Sequence, residues 1–216
     1  MSVNRLVACF LSTLTLGQLA AADPDDMRFR DLRLEIGLPP ATAKVVTGQS
    51  SSAGGNRQDI TWESRGRWSL QWVPNIHPIT PEGEGFFMLE VTSLSLSSAP
   101  SSAGDQLKER ALTLGAHIGL AWVIFEQTTI ELTAFGAVGT AWEAQLAHYG
   151  GAREIGARLG FTWSPGTISL GRPLVGVALL ATAVHLENQA TLGGQNYDVV
   201  LDSHGLIPAA SVGWRF

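Results

Sequence analysis

Charged side chains at alternate positions of several strand-like segments are the residues best placed to do chemistry in this sequence. Successive side chains of a strand point to opposite faces, so charges two or four residues apart share one face. Buried charges have to pair because desolvation is costly, and we therefore predict an ion-pair network, structural or gating, inside a closed fold. Its members, balanced in sign, are Arg33, Glu35, Glu63, Arg65, Arg67, Glu131, Glu154 and Arg158, with Glu90 as an additional candidate.

The histidines give a weaker signal for catalysis or metal binding. His117 shares a strand parity with Thr113, and His185 lies two residues before Glu187. A nucleophile needs its base within hydrogen-bonding reach. Ser203 precedes His204, but none of these histidines shows a His-x-Ser spacing. The five histidines are too scattered for a metal-binding pair on one strand face. We predict no catalytic, cofactor-binding or metal-binding residue, and hence no enzyme.

Period-two hydrophobic alternation indicates that strands carry these residues. Apolar and polar side chains alternate in segments of roughly ten residues, which is typical of a β-barrel with one apolar face. The clear alternations begin at Leu32, Ile60, Leu112, Ile130 and Ile155, and the last strand runs from Leu206 to Phe216. Residues 85–97 suggest a slip of parity, and hence a bulge, between Val91 and Leu94. Residues 174–186 are apolar on both parities.

The connections between these segments alternate long and short. The longer or more polar gaps are residues 39–57, 98–109, 145–151 and 187–203, rich in Ser, Gly and Asn. The gaps between them are the tight turns 125–127 and 164–167 and the longer segment 74–84, which its three prolines constrain. This order fits an all-β, antiparallel up-and-down transmembrane barrel of about eight strands, with the long loops at one end. Residues 49–58 and 193–198 are loop segments that would be available to a partner.

The N-terminus predicts export. Arg5 precedes an apolar stretch, and three alanines ending at Ala22 precede Asp23, so we predict a signal peptide over 1–22 and one barrel domain over 23–216. The only cysteine, Cys9, lies in that leader, which leaves the mature chain without disulfide chemistry. Charged residues make up 15% of the chain and apolar residues 45%, as expected for a lipid-facing surface. The net charge of -5 excludes nucleic acid as a partner.

Aromatic residues mark the expected membrane boundaries. Indole rings favour the headgroup region, and we assign that role to Trp62, Trp68, Trp72, Trp122, Trp142, Trp163 and Trp214. The terminal Phe216 with Trp214 and alternating apolar residues upstream resembles the signal read by the barrel assembly machinery. As an architecture, residues 27–216 resemble the small outer-membrane barrels related to the transmembrane domain of outer-membrane protein A.

This resemblance implies the bacterial outer membrane as the location, its lipid and the assembly machinery as partners, and no cofactor. Eight strands leave an interior that side chains can fill, so we expect a non-enzymatic barrel, plugged inside, with a structural or surface-interaction role through its loops. The alternatives are a narrow channel or a binder of a small apolar ligand, and a lipid-modifying enzyme. A soluble, lipocalin-like barrel with the two faces inverted is a further alternative.

Overall fold

Strands make up nearly all of the part of the chain that the structure describes. The computed structural model describes residues 31–37, 46–52, 57–74, 76–78, 83–98, 108–125, 127–143, 149–166, 171–192 and 195–216. The strands are β1 Asp31–Gly37, β2 Val46–Ser52, β3 Arg57–Val73, β4 Ile76–Pro78, β5 Gly83–Ser98, β6 Lys108–Phe125, β7 Thr128–Glu143, β8 Tyr149–Trp163, β9 Arg172–Leu192 and β10 Gln195–Arg215. The predicted signal peptide lies outside the described residues. Among those residues, no helix is long and apolar enough to cross a membrane.

The strands close into an antiparallel ring with eight positions. Each long strand pairs with its neighbours in the chain, from β3–β5 through β9–β10. Both β1 and β2 pair with β3 on one side and with β10 on the other, so together they occupy the first position. The short β4 pairs with the start of β5. The predicted all-β up-and-down barrel is therefore confirmed.

Two of the predicted long loops are wrong in part. Residues 46–52 form β2, paired with Tyr197–Asp202 of β10, and β9 and β10 continue with only residues 193–194 between them. Much of the segments 39–57 and 187–203 is therefore strand, as are parts of the predicted loop segments 49–58 and 193–198. Ser, Gly and Asn have low strand propensity, but a neighbouring backbone ladder overrides that preference because strand propensity depends on context.

The predicted bulge in residues 85–97 is also misplaced. The inward parity of β5 runs without a slip from Phe86 to Leu96. The irregularity is in the partner strand β3, where the register shifts between Ser64 and Gly66. Sequence alternation suggested a slip because Leu94 and Leu96 are apolar residues on the inner face.

The outer face of the barrel is an apolar band. On β6 it extends from Leu112 to Ile124, which is about 40 Å along the strand at roughly 3.3 Å per residue and about 30 Å in height for a strand tilted by roughly 40°. Large exposed side chains from most other strands continue it. They include Leu34, Ile36, Leu132, Val138, Ile155, Leu159, Phe161, Val175, Val177, Leu179, Leu206 and Val212.

The inner face carries a charged layer and two apolar clusters. One cluster lies beside the charged layer, since Val73 is paired with Asp31, Met88 with His117 and Ala121 with Glu131, and the other lies farther along the barrel axis. Near the end that holds Asp31 and Phe216, here called the terminal end, the cluster contains Val73, Phe86, Met88 and Ala121. Toward the opposite, distal end, the cluster contains Leu94, Leu96, Ala111, Ala141, Ala152, Val184, Leu186, Val199 and Leu201.

Candidate functional site

The buried charged layer is the most distinctive arrangement of side chains in the barrel. Of the predicted set, Arg33, Glu35, Arg67, Glu131, Glu154 and Arg158 all point inward with side chains 3% exposed or less. The side chains of Glu63 and Arg65 lie outside the described residues. Each of the six sits on the polar parity of its strand, and strand closure brings them together from four strands.

Arg33 and Arg158 share the carboxylate of Glu131. Arg33, on β1, donates two hydrogen bonds of 2.7 Å to the two oxygens of Glu131 on β7, which is the planar two-point geometry that suits arginine. Arg158 donates at 2.9 Å to Glu131 and at 2.9 Å to Glu35. Residues 98 positions apart in sequence are thereby joined across the interior.

Arg67 extends the network toward β5 and β8. Its guanidinium donates to Glu154 at 3.3 Å and to Glu90 at 3.2 Å, and its Nη1 lies 3.6 Å from Glu35. Gln71 donates to Glu35 at 3.0 Å. Glu35 therefore links the Arg158 part of the network to the Arg67 part.

His117 closes the network on β6. Its Nε2 lies 2.6 Å from Glu90 and its Nδ1 lies 3.3 Å from the hydroxyl of Thr133, while its ring stacks on Phe135 with centroids 4.6 Å apart. Thr133, His117 and Glu90 have the order of a nucleophile, a base and an acid. All three are 2% exposed or less, so this arrangement is closed to solvent.

Sequence reasoning missed the terminal-side members of the network. Asp31 accepts a hydrogen bond from Arg33, and Arg215 donates to Asp31 at 2.8 and 3.1 Å. Both residues lie at strand ends, where alternation gives little guidance, although each shares the parity of the inner face. The signal that would have identified Asp31 is its spacing of two from Arg33.

The network nearly balances in charge. Its carboxylates belong to Asp31, Glu35, Glu90, Glu131 and Glu154, and its guanidinium groups to Arg33, Arg67, Arg158 and Arg215. The requirement for near neutrality follows from the cost of an unpaired buried charge.

Gly160 makes room for one of these cations. It lies on the inner face of β8, two residues from Arg158, and a Cβ built there would collide with the Arg158 guanidinium. The Arg158 side chain therefore lies over its own strand before it reaches Glu35 and Glu131. The glycine is required for space and not for an unusual backbone conformation.

The distal apolar cluster separates the charged layer from the distal end of the barrel. Leu94 follows Thr92 by two residues on β5, and Ala152 precedes Glu154 by two on β8, so the distal cluster begins directly beside the network. Still nearer the distal end, Asn188 donates to Glu109 at 2.8 Å. Ions would have to cross an apolar layer that lacks groups to replace their hydration, and this arrangement disfavours a polar conduit.

A second polar cluster lies on the outer face, beyond the distal edge of the apolar band. His185 on β9 contacts Asp202 at 2.6 Å through Nδ1 and Glu187 at 2.9 Å through Nε2. The hydrogen bond to Asp202, followed by that to Glu187, raises the pKa of His185 above its ordinary value. Both ring nitrogens are occupied by carboxylates, so His185 cannot serve a serine as its base.

The remaining predictions concern metal ions and aromatic residues. Within the described ranges, no group of three or more His, Cys, Asp or Glu residues could hold a metal ion. Most of the predicted interface tryptophans lie on the outward parity near the terminal end, namely Trp72, Trp122, Trp163 and Trp214. Trp142 lies near the distal end. Trp68 lies between the two ends, and its side chain is 48% exposed. The side chain of Trp62 is outside the described residues. Phe216 is 50% exposed.

Comparison with known proteins gives only distant likenesses. No family model and no curated protein matches the chain. Among solved structures, Neisserial surface protein A is 13% identical, with a TM-score of 0.39 over 86% of this chain and 96% of that one. The attachment invasion locus protein Ail of Yersinia pestis is 7% identical, with a TM-score of 0.30 over 85% and 98%.

The outer membrane protein AlkL, solved in lipid bilayers, is 13% identical, with a TM-score of 0.34 over 87% of this chain and 91% of that one. Likenesses at this level carry no argument about activity or partners. The function has to be argued from the barrel itself.

Proposed function

We propose that this chain is a bacterial outer-membrane barrel that is closed inside by side chains and serves a structural or surface-interaction role without catalysis. The observation that carries the proposal is the distribution of polarity across the wall. The inner face holds a paired charged layer, and the outer face holds an apolar band of membrane height. Lipid is the solvent that suits such an outer face, because a closed barrel satisfies every backbone hydrogen bond within the bilayer.

The inverted alternative, a soluble barrel with an apolar interior, conflicts with the positions of the large apolar side chains. A lipocalin-like protein would place Leu114, Ile118 and Ile155 inside, whereas these side chains are 55 to 66% exposed. Exposed apolar area on this scale is not stable in water. The outer membrane is favoured over an inner membrane because closed barrels are the transmembrane β-structures of that membrane.

The closed interior favours a structural role over a channel. The guanidinium groups of Arg33, Arg67 and Arg158 and the side chains of the distal apolar cluster are buried inside the barrel. Beyond the apolar band, β9 and β10 continue as a pair, and β10 also pairs with β2, which presents a sheet on the distal side for contact with other molecules. We assign the surface-interaction role to that sheet.

The test is fractionation followed by conductance. The full precursor is expressed in a Gram-negative host, and gel mobility of the outer-membrane fraction is compared with and without boiling. The proposal predicts an outer-membrane band that shifts on boiling, and no stable channel events when the purified barrel is placed in planar bilayers. A soluble band would overturn the location, and reproducible single-channel steps would support the narrow channel instead.

A further inference from the structure

The outer face carries a groove that the proposed function does not use. It has a volume of about 540 Å³ and lies across strands β7 to β10, lined on its outer side by Ile155, Ala181, Ala183 and His204. The lining also includes Gly156 and Gly205, and Phe135 and Thr182, whose side chains are buried. Small side chains on neighbouring strands thus form a depression in a surface that elsewhere presents large ones.

The groove is continuous with the lipid-facing band. Ile155 on its border is 65% exposed, and toward the terminal end the outward positions of the same strands are Leu159, Leu179 and Leu206, all more than 40% exposed. An occupant entering from the bilayer would therefore meet mainly apolar side chains, with His204 as the polar residue on the outward side of the lining. A hydrocarbon chain fits a depression of this chemistry because dispersion contacts with Ile155, Ala181 and Ala183 fill it.

A polar row borders the groove on its distal side. In the strand register, Ile155 lies opposite Ala183, and Ala183 lies opposite His204. Two residues further on the same three strands, Arg153 lies opposite His185, and His185 lies opposite Asp202. The two rows are about 7 Å apart at roughly 3.3 Å per residue, which is the distance between the start of an acyl chain and its headgroup.

Arg153 is the cation in this row that is available to a ligand. It is exposed, and none of the ion pairs between described residues involves it. The carboxylates of Asp202 and Glu187 are already engaged by His185. An arginine with free donors recognises a phosphate oxygen pair better than any neutral headgroup.

We propose that this groove binds a phosphate-bearing membrane lipid, with an acyl chain over Ala181 and Ala183 and the headgroup phosphate on Arg153. The inference rests on the proposed membrane location of the barrel. It adds a ligand of defined chemistry at a defined place on the wall, on the distal side of the bilayer. His204 and His185 flank the headgroup position from β10 and β9.

The experiment is native mass spectrometry of the full barrel in a non-ionic detergent, titrated with dimyristoyl phosphatidylglycerol or with dimyristoylglycerol, which lacks the phosphate. We expect one retained phosphatidylglycerol and at least tenfold weaker retention of the diacylglycerol. Arg153→Gln should weaken phosphatidylglycerol binding about tenfold or more, since a charge-assisted hydrogen bond contributes that much. Ala183→Phe should abolish binding by filling the groove.

Matched controls separate the site from general effects. Arg110→Gln removes another exposed outward arginine on β6, and Ala210→Phe adds a ring elsewhere on the outer face of β10, so neither should change retention. Equal losses in Arg153→Gln and Arg110→Gln, or equal retention of the two lipids, would overturn the inference. Each variant is first checked for its gel shift on boiling, so failure of the barrel is distinguished from failure of the lipid site.

Discussion

Adjacent residues of β8 face opposite environments and show how the wall works. Arg158 is 1% exposed and donates to Glu35 and Glu131, whereas Leu159, the next residue, is 52% exposed on the outer face. The same strand therefore carries a charge inside and a hydrocarbon outside, the reverse of a water-soluble protein. The comparison teaches that different interactions stabilise the two faces. Charged side chains pair with one another on the inner face, and apolar side chains make the contacts with lipid that we propose for the outer face.

Removing an inner cation should have the largest effect. Arg158→Met leaves Glu35 and Glu131 with less positive charge in a site without solvent, and loss of one partner of a buried pair typically costs about 3–5 kcal/mol. Urea unfolding of the barrel in lipid vesicles measures the change. Leu159→Met is the matched control on the outer face and should shift stability by less than about 1.5 kcal/mol.

A double variant sharpens this prediction. Adding Glu131→Gln to Arg158→Met removes the unpaired charge, so the double variant should recover part of the loss, as coupled neighbours do. Additive losses in the double variant would mean that Arg158 stabilises the barrel by packing and not by charge pairing.

The distal apolar layer should show the next largest effect. Leu201→Ala opens a cavity inside the barrel, where the side chain is fully buried, and should cost about 3 kcal/mol. Leu206→Ala, on the outer face of the same strand, should cost less because lipid fills the space. Equal losses of unfolding free energy in the two variants would show that a cavity inside the barrel costs no more than one on its outer face.

A charge placed on the outer face should have the third largest effect on the unfolding free energy. Leu159→Arg moves a guanidinium into the lipid-facing band and should destabilise the barrel in vesicles by about 2 kcal/mol. The control is Tyr149→Arg, at an exposed position near the distal edge of the band, where the cost should be near zero. If Leu159→Arg unfolds at the same urea concentration as the parent, this face does not contact lipid.

The smallest expected effect is the pH dependence of the outer polar cluster. The pKa of His185 is raised in the folded barrel by Asp202 and Glu187. Its contribution to stability is therefore complete below the ordinary value of 6.5 and is lost as pH rises through the raised pKa. The urea midpoint of the parent should fall slightly over this window, and that part of the fall should vanish in His185→Gln but persist in His204→Gln.

Much of the fold was predictable because one physical rule governs all of the strands. A closed wall with an apolar outer face and a buried inner face forces alternation with period two, so the parity of Leu32 to Ile36 or of Ile130 to Trp142 specifies which side chains face inward. The misassigned segments are those in which this rule is weakened. Leu94 and Leu96 are apolar but face inward, and the polar residues 46–52 form a strand paired with β3 and β10.

The sequence by itself determined that charges and apolar side chains occupy opposite faces, because strand geometry makes that depend on local spacing alone. Only the tertiary structure decided which charges meet. Arg33 pairs with Glu131, and Arg67 pairs with Glu90 and Glu154, because barrel closure and strand register set distances between residues that are far apart in the chain. The layering of the interior and the division of the first strand position into β1 and β2 depend on the same closure, since they are defined by neighbours across the ring.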